Sequence, residues 1–119
     1  MDIPLFNSDR APKPREEIRI EQVEIVSYPD RFRVYVHLVV TPFMERPNLL
    51  LVIRDRDQRV ISELSIIETM HQDMEFTIHL RNIENPVSSY TLTSELFYDT
   101  RNPPQDRRVD AFEVPDFEE

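Results

Sequence analysis

Few residues in this chain have side chains that could do chemistry. Histidines stand at His37, His71 and His79, serines include Ser88, Ser89 and Ser94, and Asp55 and Asp57 flank Arg56. His37 lies between Val36 and Leu38, and His79 between Ile78 and Leu80. In strands, both would point away from the apolar face. If their strands are neighbours, the two imidazoles come side by side, and Glu21 or Glu24 could supply the further ligand a metal needs. No spaced ligand motif supports that, so two solvent-facing histidines are the expectation. The serines and carboxylates show no nucleophile–base spacing. A calcium loop would want more oxygen ligands than Asp55 and Asp57, and normally a glycine.

Composition narrows the choice further. The chain of 119 residues has no glycine, which removes phosphate-cradling loops, dinucleotide fingerprints and nucleophile elbows. Turns must therefore use Asn, Asp or Pro. With 14 basic against 23 acidic residues the net charge is −9, so neither nucleic acid nor an anionic membrane is an expected partner. Lys13 is the only lysine, the other basic residues being arginine. Apolar residues at 39% and charged residues at 31% describe a globular chain with no membrane-spanning run. Cysteine is absent and residues 1–17 lack a secretory pattern, so a cytoplasmic location is expected, with the starting Met read as that of a complete chain.

The elements that would position these residues are strands. Residues 48–67 hold two apolar runs around Asp55-Arg56-Asp57-Gln58, the pattern of a hairpin. Residues 49–53 are apolar on both faces, as a central strand would be, and the N-terminal arm or a second copy is the first suspect for covering the outer face. Residues 32–41 alternate with Phe32, Val34, Val36, Leu38 and Val40 inward. In residues 17–27 the phase changes between Ile20 and Val23, which implies a bulge near Glu21 and Gln22. Strands over 73–81, 88–99 and 108–114 complete the set, the last bulged because Val109, Phe112 and Val114 do not share a phase. Tyr28-Pro29-Asp30-Arg31 fits a type I turn. Residues 1–16 read as an extended arm, with Leu5 and Phe6 candidates to dock on a neighbour, and 116–119 as an acidic tail.

Seven short strands with turns every eight to twelve residues describe an all-β protein, a seven-stranded antiparallel immunoglobulin-like β-sandwich over 17–115. The segment Asn85-Pro86-Val87-Ser88-Ser89-Tyr90-Thr91-Leu92 resembles the lead-in to the sixth strand of immunoglobulin-like and fibronectin type III-like sandwiches, where a tyrosine often sits at the corner. The Cys…Trp…Cys signature of true immunoglobulin domains is absent.

That resemblance implies that three loops share one pole. They carry Phe43 and Met44, then Met70 and His71, then Arg101, Asn102, Pro103 and Pro104. Apolar side chains beside prolines and arginine have the make-up of a protein-contact patch, although for Phe43 and Met44 folding back to cap the open end of the core is the stronger expectation. The turn at 55–58 falls at the opposite pole. The expectation is a non-enzymatic protein-interaction or structural module with no catalytic residue, metal or cofactor and an unidentified protein partner. A homodimer through a sheet edge, an outer face or the arm is the second interaction route. The alternative is a small-ligand or carbohydrate-binding sandwich using Tyr35 and His37, against which the lack of Trp counts. An unrecognised hydrolase or metal-binding protein comes third.

Overall fold

The computed structural model describes residues 11–116. Seven antiparallel strands form two sheets: β1 (Ile20–Ser27), β2 (Arg33–Val40), β3 (Asn48–Arg54), β4 (Val60–Ile66), β5 (Asp73–His79), β6 (Ser88–Phe97) and β7 (Asp106–Val114). One sheet has the order β1-β2-β5 and the other β4-β3-β6-β7. The expected all-β sandwich is the observed fold.

Alternation builds the core. Val34, Val36, Leu38 and Val40 on β2 are fully buried and face Leu49, Leu51 and Ile53 on β3 and Leu92 and Leu96 on β6 in one cluster. Each such side chain contributes about 1.5–3 kcal/mol by leaving water. The pairing of β1 with β2 slips between Ile20 and Gln22, so the expected bulge is present. The hairpin turn begins at Asp55, whose carboxylate accepts the amides of Asp57 and Arg59. Tyr90 Oη donates a 2.6 Å hydrogen bond to the Pro86 carbonyl, the tyrosine-corner arrangement that residues 85–92 suggested. Tyr90 also stacks on Phe112 at 5.5 Å.

Three expectations are corrected. Phe32 is not an inward strand residue: β2 begins one position later, and Phe32 stands 42% exposed just after the turn. β7 carries no bulge, since its pairing with β6 runs without a shift from Ser88↔Val114 to Leu96↔Asp106; Val109 simply faces outward. Turns do not rely on Asn, Asp and Pro alone, because Arg31, Gln58 and Glu68 join Asn82 at positive φ. Such residues cost about 1–2 kcal/mol each where glycine would not. As expected of a central strand, Leu50 and Val52 on β3 are 7% and 5% exposed, and their outer face borders a cleft lined by Glu63, Glu95, Arg101 and Arg107.

Of the expected arm, residues 1–10, including Leu5 and Phe6, lie outside the described residues, as do 117–119 of the tail. Lys13 pairs in parallel with Phe43, and a single 3-10 turn, Arg15–Glu17, leads to the buried Ile18. The lateral edges are stitched by side chains: Ile20 N donates to Asp106 Oδ2 at 2.7 Å, and Ser62 Oγ donates to the His79 carbonyl. No helix among the described residues is long and apolar enough to cross a membrane.

Candidate functional site

Strand direction brings the three loops to one pole. β2, β4 and β6 end there and β3, β5 and β7 begin there, so the loops at 41–47, 67–72 and 98–105 are neighbours. Backbone bonds join them: Thr69 N donates to the Pro47 carbonyl, and Val40 N to the Gln72 carbonyl, both at 2.9 Å. Asn48 Oδ1 accepts the Glu68 amide at 2.8 Å. Arg15 clamps the same end by donating to Asp99 Oδ2 at 2.8 Å and to the Glu45 carboxylate, with its guanidinium 4.6 Å from the Tyr98 ring centre. The hydrogen bond from Arg15 holds the Glu45 carboxyl below its ordinary range. Burial, with Glu45 nearby, pushes the Tyr98 phenol up to about 12.

Each predicted contact residue has a distinct placement. Phe43 is half-buried and packs against the core, so it serves as the cap. Met44 is 71% exposed and Met70 68% exposed. Ile67, which the pattern of two adjacent isoleucines did not single out, is 73% exposed on the same loop as Met70. His71 is exposed, its backbone held by Thr69 Oγ1. Pro103, after a cis bond from Asn102, is exposed, and Pro104 half-buried. Arg101 turns to the outer face of the four-stranded sheet, where its Nε lies 3.6 Å from Glu95 Oε1.

The outer face of the other sheet holds the two strand histidines, but not side by side. In register His37 lies opposite Glu75, and His79 opposite Arg33. His37 Nε2 is 2.7 Å from Asp73 Oδ1 and its Nδ1 3.5 Å from Glu24 Oε1, one carboxylate to each ring nitrogen. The Asp73 hydrogen bond raises the imidazole above its ordinary value, with Glu24 adding to it. Tyr35 donates to Glu75 Oε2 at 3.1 Å, and the Tyr28 ring is covered by Arg33 at 4.3 Å.

A concavity of about 730 Å³ opens at the opposite pole between the 55–59 turn and residues 81–88. Its lining includes Ser88 but no histidine, and the Asp55 carboxylate is engaged in holding its own turn. Among the other serines considered for catalysis, Ser89 donates to Glu113 and Ser94 is sealed in the interior. Among the described residues, no three His, Asp or Glu side chains are grouped as metal ligands.

Neither a protein-family model nor a curated protein matches the chain. Solved structures do share its fold. A β-glucuronidase from Bifidobacterium dentium, solved with coumarin-3-O-glucuronide, superposes with a TM-score of 0.62 at 14% identity, over 83% of this chain and 18% of that one. A β-glucuronidase from Parabacteroides merdae gives a TM-score of 0.56 at 12% identity, over 82% of this chain and 14% of that one. A glycosyl hydrolase family 2 member from Bacteroides cellulosilyticus gives 0.53 at 12% identity, over 82% and 15%. The chain thus spans under a fifth of each glycosidase. At this identity the likeness is one of fold.

Proposed function

We propose that the chain is a non-catalytic β-sandwich module that docks a protein partner through the pole carrying Met44, Ile67 and Met70. One observation carries the reading. The three most exposed large apolar side chains among the described residues, at 68–73%, sit on two loops joined by a backbone hydrogen bond. Single exposed apolar residues are ordinary on a protein surface, but several concentrated at one place mark an interaction surface. Methionine adapts its shape to a partner, and loops held on a rigid sandwich present it without a large ordering cost.

The test is an NMR titration of the isotope-labelled chain with a lysate of its source cells. Selective line broadening at 42–47 and 67–72 is expected. Broadening confined to the β1-β2-β5 face would overturn the assignment.

The second reading, a small-ligand or carbohydrate-binding sandwich, is compatible with the same fold occurring as a part of glycosidases. The rings first considered for it are engaged, Tyr35 with Glu75 and His37 with Asp73. For that reason it ranks behind the protein-docking reading.

A further inference from the structure

A second candidate site lies on the outer face of the four-stranded sheet, away from the docking pole's methionines. Register assembles it from residues distant in sequence. One row across the sheet reads Glu63, Val52, Thr93, Val109, and the next Leu50, Glu95, Arg107. Arg54 and Arg101 complete the walls of a cleft of about 360 Å³, within the range of small-ligand pockets. Its apolar lining is Leu50 and Val52, little exposed, and Val109, half exposed, beside Thr91, Thr93 and Gln58.

The cleft is cationic in an acidic protein. Three guanidiniums (Arg54, Arg101, Arg107) meet two carboxylates (Glu63, Glu95), an excess of one positive charge where the whole chain carries −9. These arginines are also under-used. Arg101 Nε and Arg107 Nε lie 3.6 and 3.7 Å from the two oxygens of Glu95, close enough for attraction but beyond a good hydrogen bond. Glu95 Oε1 is buried without a hydrogen bond, and the hydrogen bond of the Arg54 side chain, to Thr93, is stretched to 3.5 Å. A guanidinium has five donors in a planar fork that fits a carboxylate in bidentate fashion.

We propose that this cleft binds a small amphipathic carboxylate. Its charged end would take the unused donors of Arg101 and Arg107, and its apolar body would lie on Leu50, Val52 and Val109. A bare inorganic anion would leave the apolar lining unused, so that lining is what selects a carboxylate with a hydrocarbon part. The proposal does not depend on the docking pole.

The experiment is an amide NMR titration of the full chain with sodium benzoate, with neutral benzamide and inorganic phosphate as comparisons. Benzoate should give saturable shifts at Val52, Thr93 and Val109, and bind at least about tenfold more tightly than benzamide or phosphate. Arg101→Gln with Arg107→Gln should weaken it by about tenfold or more, while Arg33→Gln on the other sheet should match the parent. Glu95→Gln, which removes the internal counter-charge, should tighten it by about threefold. If the double variant loses its dispersed spectrum, Arg54→Gln replaces it, with weakening expected. Absence of saturable shifts by about 10 mM benzoate would overturn the proposal. So would equal binding of benzamide or phosphate, unchanged affinity in the arginine variants, or weaker binding by Glu95→Gln.

Discussion

The Thr69 amide donates a 2.9 Å hydrogen bond to the Pro47 carbonyl, which fixes the loop bearing Met70 against the loop bearing Met44. Thr69 is itself buried, and its hydroxyl lies 3.1 Å from the His71 carbonyl and 3.3 Å from Met74 Sδ. The hydroxyl thus shapes the Met70 loop from beneath. Thr69→Val keeps the volume and removes those bonds, so it should cost about 1 kcal/mol. Hydrogen exchange should show faster opening at Met70 and His71, with β2 and β3 unchanged.

Phe43 and Met44 are adjacent yet play different parts. Phe43 packs on the core while Met44 stands 71% exposed. Phe43→Ser should lose about 1–2 kcal/mol in urea unfolding through lost burial. Met44→Ser should stay within about 0.5 kcal/mol of the parent. Equal losses would mean that Met44 also caps the core.

Tyr90 ties β6 to the loop before it. Removing its hydroxyl leaves the Pro86 carbonyl without the 2.6 Å bond in a buried position. Tyr90→Phe should therefore lower stability by about 1–2 kcal/mol in chemical denaturation. The stacking on Phe112 is retained in that variant, which isolates the hydroxyl.

His37 gives the fold a pH response of defined sign. The groups around it are Asp73, Glu24 and its register partner Glu75. The Asp73 hydrogen bond, opposed by burial and helped by Glu24, raises the folded imidazole above its ordinary 6.5. The stabilisation is fully present below 6.5 and is lost as pH rises through that raised folded value. The urea midpoint should therefore fall between about pH 6 and about pH 8, and the fall should be smaller in Asp73→Asn and at high salt. A midpoint that rises over this interval would contradict the pairing.

Local pattern accounts for most of what the sequence made readable. The period-2 run on β2, the phase change at Glu21 and Gln22, the type I turn at Tyr28 and the corner at Tyr90 are all set by neighbours a few residues apart. Phe32 misled because its alternation continues that of β2, although the chain is still leaving a turn in which Arg31 has a φ of 70°. Gln58 and Glu68 at positive φ were invisible because side-chain type only biases that conformation. That the loops at 41–47, 67–72 and 98–105 share a pole was readable, because alternating strand direction fixes which loops do. The arginine cleft was not, since Arg54, Glu95 and Arg107 meet through the pairing of β3 with β6 and β6 with β7. Nothing near Arg101 in the chain marks Glu95 as its partner.

The most direct test of the docking pole places a photo-crosslinking amino acid at Met44, at Met70 and, as control, at Thr77 on the β1-β2-β5 face, inside the source cells. Discrete protein adducts are predicted from Met44 and Met70, with none from Thr77. No adduct from either methionine position, or equal labelling from Thr77, would contradict the docking pole.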